Sequence, residues 1–141
     1  MNALAMNERP TPPLRWNQKF LCAFRGLRVG SRGQTSFFVH IPTACFVLAA
    51  AAQFRVTTVE WCILVLCIAL VFTTELLNTA IEMLARAITT EYDPRIRDAL
   101  DVGAAAVLVS CIGAGVIGLL ILGFRLGVAL GWWPLPAYTV Y

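Results

Sequence analysis

The sequence predicts an all-α membrane protein: an N-terminal amphipathic surface helix followed by three transmembrane helices. Three observations predict it. Of 141 residues, 59% are apolar and only 13% charged, whereas soluble domains run near about 45–50% and about 25%. Three apolar runs are long enough to approach or cross a bilayer. The basic residues crowd onto alternate sides of those runs. With a mean hydropathy of +0.74, too little polar sequence remains to cover a soluble globule. The length admits one domain.

Residues 1–13 read as a flexible tail, because Pro10, Pro12 and Pro13 exclude a helix. Residues 14–30 form the expected amphipathic helix. Phe20, Phe24 and Leu27 share one face, and Arg15, Lys19, Arg25 and Arg28 make the segment basic. Such a helix suits an interface with anionic lipid.

The first apolar run, 37–54, is near the minimum length for a span, and Pro42 lies within it. The second and third, 60–85 and 100–124, are long enough to cross. A polar loop, 86–98, joins them. Residues 125–141 read as an interfacial C-terminal tail, since Trp132, Trp133 and the tyrosines suit the headgroup level. The third run carries Ala106, Ser110, Ala114 and Gly118 at spacing four, a stripe that permits close helix approach. Cys22, Cys45, Cys62, Cys67 and Cys111 show no metal-ligand spacing and read as small packing residues.

Orientation follows from charge. Arg9, Arg15, Lys19, Arg25, Arg28 and Arg32 precede the first run, and Arg86, Arg95 and Arg97 lie in the 86–98 loop. Only Arg55 and Arg125 fall on the other side. The positive-inside rule places the N-terminus and the 86–98 loop in the cytoplasm, and three spans then leave the C-terminus outside. No basic stripe on a soluble element invites nucleic acid.

The second run holds the chemical anomaly. Glu75, Asn78 and Glu82 stand at i, i+3 and i+7, within roughly 60° of one another on one helix face. Ionisable residues in a span cost about 2.5–3.5 kcal/mol each near its centre. Three readings are open. The acids could bond to Thr73, Thr74 and neighbouring helices. They could line an ion or proton path, although Trp61 to Phe72 is unbroken apolar sequence. They could form a reaction site facing the cytoplasm, with one acid as base and the other as Mg²⁺ ligand. Asp98 and Asp101 begin the third run on the same side, with Glu91 and Tyr92 in the loop, so a soluble phosphate donor and a membrane lipid could meet there. No Walker A, kinase Gly-rich loop or HRD motif is present.

The run Glu75-Leu-Leu-Asn78-Thr-Ala-Ile-Glu82 resembles the signature of the prokaryotic diacylglycerol kinase/undecaprenol kinase family. Glu91-Tyr92, the stretch Asp101 to Val109, Phe24-Arg-Gly-Leu-Arg28 and Phe37-Phe-Val-His40 extend the likeness over about residues 15–124. The resemblance implies a homotrimer, each protomer with three spans and a surface helix. It implies transfer of the ATP γ-phosphate to a lipid hydroxyl at the cytoplasmic face of a bacterial inner membrane, with Mg²⁺. By the same resemblance Glu75 is the base, Asn78 orients the site and Glu82 holds Mg²⁺. Glu91, Tyr92 and Asp101 line the nucleotide site, and Arg15 contacts nucleotide or lipid. Three positions depart from the pattern. Gln34 replaces a metal-sharing glutamate, Leu100 a phosphate-contacting lysine, and Arg86 an aspartate. They imply weakened or altered nucleotide handling, or a non-catalytic member that binds lipid or nucleotide. Arg86 and Arg97 could restore some positive charge. His40 tilts the substrate toward a polyprenol.

Overall fold

The computed structural model describes residues 15–32 and 35–134. The expected 1–13 tail and Gln34 lie outside the described residues. Four helices follow in order: α1 (Trp16–Gly30), α2 (Thr35–Gln53), α3 (Thr58–Ile88) and α4 (Pro94–Ala129). The last three are long and apolar enough to cross a membrane, so the chain is a multi-pass membrane protein. At a rise of about 1.5 Å per residue, α3 and α4 run to roughly 46 and 54 Å, well beyond a hydrocarbon layer of about 30 Å.

Helix α1 is joined to the bundle at its C-terminal end. Gly30 is buried against α3, where an added Cβ would stand 2.8 Å from Leu76 Cδ2. Its apolar residues Phe20, Phe24 and Leu27 are exposed. Helix α2 continues through Pro42, which has no N–H for the Phe38 carbonyl. The Thr43 hydroxyl donates to the Val39 carbonyl one residue further on, at 2.8 Å. The turn between α2 and α3 is tight: the Val56 N–H reaches back to the Ala51 carbonyl at 3.2 Å, and Arg55 sits at φ 50°. Ala51, Val56 and Leu64 form the buried apolar core beneath it.

Helices α3 and α4 form the main antiparallel hairpin. Its connection is shorter than the expected 86–98 loop. Asp93 caps α4 by accepting from the Arg95 N–H at 2.7 Å, and Pro94 fills the first helical position. An Asp-Pro start needs no apolar residue, so α4 begins six residues before the apolar run does. Helix α3 likewise continues past the apolar run to Ile88, with Arg86 bonded back to Glu82 in its last turn.

Residues 125–129, expected in the interfacial tail, continue α4 as well. The helix closes in a Schellman turn: Trp132 N–H donates to the Gly127 carbonyl at 2.9 Å and Gly131 N–H to that of Val128 at 3.0 Å. Gly131 has φ 75°, the conformation such a turn requires. Trp133 then folds back onto Phe124, ring centroids 5.5 Å apart. Residues 135–141 lie outside the described residues.

Where the turn between α2 and α3 meets the end of α4, Arg125 reaches Glu60. Its Nε donates to both carboxylate oxygens at 3.2 Å, and its Nη2 donates to Oε2. The same Oε2 accepts from the Thr57 N–H at 2.7 Å and the Thr57 hydroxyl at 2.9 Å, so one acid caps α3 and ties it to α4.

Candidate functional site

Asn78 and Glu82 occupy the side of α3 toward the 89–93 connection, and Glu75 lies one turn further into the span. Although these acids share a face, their surroundings differ. Glu75 is buried, 4% exposed. Its partner comes from α2, where His40 Nε2 stands 3.5 Å from Glu75 Oε1. Phe37 and Phe72, one turn before each partner, bring their rings to 5.8 Å and hold α2 on α3 there. Of the hydroxyls expected to serve the acids, Thr74 turns elsewhere. It donates to the Leu70 or Val71 carbonyl and lies 2.8 Å from the Ser110 hydroxyl on α4.

Asn78 is half-buried and bonds along the helix, its Nδ2 donating to Glu82 Oε1 at 3.0 Å. Its Oδ1 is buried without a hydrogen-bond partner among the described residues. This oxygen lies against Gly103 of α4, where an added Cβ would come within 2.5 Å of it. A larger residue here would force the Asn78 side chain to turn. Glu82 is more open, its side chain 34% exposed, and its Oε2 accepts from Arg86 Nη2 at 3.1 Å.

The expected nucleotide residues are spread over the same end of the hairpin. Glu91 and Tyr92 are exposed in the connection, and the Glu91 N–H is held by the Thr89 hydroxyl at 3.0 Å. Asp101 is exposed on α4, with Arg97 Nε at 3.5 Å. Leu100 is half-buried and Asp98 exposed. Arg15 is exposed at the start of α1, and Gln34 lies outside the described residues. No group of three or more His, Cys, Asp or Glu side chains converges on a metal site among the described residues.

Sequence reasoning missed three contacts. The His40–Glu75 pair joins residues 35 positions apart, and no periodicity links them. The place of Gly103 against Asn78 is visible only as a glycine two residues after Asp101. The Glu60–Arg125 pair spans 65 positions, and Arg125 read only as a flanking charge.

A buried acid and a half-exposed one, about 10 Å apart along the helix axis, can divide the work of a group transfer. The buried carboxylate is shielded from water and suits a base. The exposed one suits a hard cation carried by phosphates, which needs only one or two protein carboxylates. An apolar cavity of about 640 Å³ between α2, α3 and α4 opens beside His40, lined by Thr43, Val47, Phe72, Cys111 and Gly115 among others.

Comparison with known proteins gives the family. Residues 21–122 match the family described as prokaryotic diacylglycerol kinase. The undecaprenol kinase of Bacillus subtilis (strain 168) is 37% identical over 107 residues, which covers 76% of this chain and 87% of that protein. With most of both chains aligned and three candidate spans in place, the chain belongs to the prokaryotic diacylglycerol kinase family of membrane lipid kinases.

Proposed function

We propose that this protein transfers the γ-phosphoryl group of ATP to the hydroxyl of a membrane lipid, diacylglycerol or undecaprenol, at the cytoplasmic face of the inner membrane. The observation that carries the reading is Glu75: a carboxylate 4% exposed in an apolar helix, with a histidine as its one ion-pairing partner among the described residues. The lipid oxygen bonds to the γ-phosphorus as the bond to the bridging oxygen breaks. The hydroxyl proton passes to Glu75, and ADP leaves with the bridging electron pair. Most of the rate comes from holding the two substrates in line.

ATP arrives with Mg²⁺, which neutralises charge on the phosphates when bound. The residues present fit that role. Glu82 offers a partly exposed carboxylate already oriented by Asn78, and one carboxylate suffices for an ion held mainly by phosphates. Gln34 would add a neutral oxygen. Glu91, Tyr92, Asp101 and Arg15 would meet the nucleotide, with Arg97 supplying positive charge beside Asp101. In the proposed assembly, a homotrimer, α1 lies on the membrane surface. Residues 14–124 form the kinase unit, and its N-terminus is cytoplasmic.

The ion pair between Arg86 and Glu82 supports a second reading, a member with weakened or no transfer that still binds lipid or nucleotide. Arg86 occupies a carboxylate oxygen that a cation would need.

Radiolabelled ATP offered to the purified protein in mixed micelles, with diacylglycerol and undecaprenol in parallel, separates the two. Label in either lipid supports the kinase. No label in either, from a folded oligomer, removes it and leaves the binding reading. Glu75→Gln should lower transfer by about 10²–10⁴-fold, the range of a general base; unchanged transfer would remove Glu75 from that role.

A further inference from the structure

We infer that His40 is a positioning residue for Glu75: it fixes one carboxylate oxygen so that the other is free to take the lipid proton. The inference rests on the reading of Glu75 as the base and adds a second helix to the reacting centre.

A glutamate side chain turns about three bonds, and a base that turns freely is rarely in line with its proton. Glu75 lies on α3 among apolar neighbours, 4% exposed, so water cannot hold it. The group that reaches it comes from α2. His40 Nε2 stands 3.5 Å from Oε1, and an imidazole N–H turned to that oxygen would donate to it. That distance is long for a hydrogen bond, as contacts at catalytic groups often are before substrate tightens them. With Oε1 engaged by His40, Oε2 keeps its lone pairs. The proton balance is simple: the lipid hydroxyl loses its proton to Oε2, and the proton on His40 Nε2 stays where it is.

The other elements packed on α3 offer no substitute. From α4 the titratable group that faces Glu75 is Cys111, within its electrostatic reach. Ser110 is turned to Thr74. From α1 the contact is Gly30 on Leu76, and no side chain of α1 forms an ion pair with α3 among the described residues. His40 is itself half-buried and lines the apolar cavity between α2, α3 and α4, so the pair stands where a lipid chain could bring its polar end.

The test is kinetic, on the full-length protein in micelles, with whichever of the two lipids is phosphorylated. His40→Ala should lower kcat by about 10–100-fold, the cost of a misplaced group, and leave both KM values within about threefold. His40→Gln, which retains an N–H donor at similar reach, should recover most of the loss. In a Glu75→Asp background, His40→Ala should cost much less than it does in the parent, since the two act as one unit. Parent-like kcat for His40→Ala would overturn the inference. So would a Gln variant as slow as the Ala variant, or a loss in the Asp background as large as in the parent. Thermal unfolding of each variant screens out a protein that fails to fold, and His40→Gln then carries the test against parent. Glu75→Gln run alongside separates the failures. If it abolishes transfer while His40→Ala does not, the base stands and only the role of His40 falls.

Discussion

Toward one end of the α3–α4 hairpin Glu60 has both oxygens engaged, by Arg125 and by Thr57. In the cytoplasmic half proposed for α3, Glu75 faces one histidine across 3.5 Å, and Asn78 keeps an oxygen with no partner among the described residues. All three residues are wholly or partly buried and all stand on α3, so burial alone does not explain the difference. A buried acid that holds helices together is stabilised by saturating it. An acid that must accept a proton has to keep a lone pair open, which costs stability that other parts of the fold supply. On the proposed reading, the two acids mark a structural end and a reacting half of one hairpin.

The sharpest way to break that contrast is to cross the measurements. Arg125→Ala should destabilise the protein by about 2–3 kcal/mol, because partly buried Glu60 loses its charged partner and keeps only Thr57. Replacing both members, Glu60→Met with Arg125→Met, should recover much of that loss. Protein that remains folded should keep its kcat. Glu75→Gln should do the reverse, losing transfer with unfolding unchanged or slightly delayed. Unfolding followed in micelles alongside the lipid kinase assay reads both. An Arg125→Ala protein that is stable but slow, or a Glu75→Gln protein that unfolds early, would merge the two regions into one.

The sequence carried the reacting half further than the structural one. Three spans, a helix before them and the Glu75–Asn78–Glu82 face follow from hydropathy and from helical spacing, because both are local. The helix ends did not follow from hydropathy. Asp93 and Pro94 start α4 by capping chemistry, and Gly131 ends it by a backbone conformation, neither of which requires apolar residues. Partners across helices were the least legible. Arg125 read as a flanking charge, and His40 as a pointer to the lipid rather than as a partner of Glu75. Their meaning comes from which side chains an antiparallel packing sets face to face, and no local pattern encodes that.

A middle-sized effect sharpens the boundary of the reacting half. Gly103→Ala would set a methyl 2.5 Å from Asn78 Oδ1, closer than any stable contact. Asn78 must then turn, and its 3.0 Å bond to Glu82 is lost. A hydrogen bond to a charged group contributes about 1.5–3 kcal/mol, so KM for the Mg²⁺ nucleotide should rise roughly tenfold or more while KM for the lipid holds. Equal rises in both would place Gly103 in packing alone and detach Asn78 from the nucleotide side.

The smallest expected effect lies between the two regions, where Thr74 meets Ser110 at 2.8 Å. Hydrogen bonds between helices in membranes contribute about 0.6 kcal/mol on average. Each hydroxyl also has a carbonyl of its own helix, Val71 for Thr74 and Val107 for Ser110, which softens its loss. Thr74→Val and Ser110→Ala should therefore each cost about half a kcal/mol, and the double variant should cost less than their sum, since both remove one shared bond. Transfer rates should not move, although Thr74 is the immediate neighbour of Glu75. If Thr74→Val slows transfer while Ser110→Ala does not, the hydroxyl serves the base as well as the helix pair. The reacting half would then begin one residue earlier than the Glu75–Asn78–Glu82 spacing marks it.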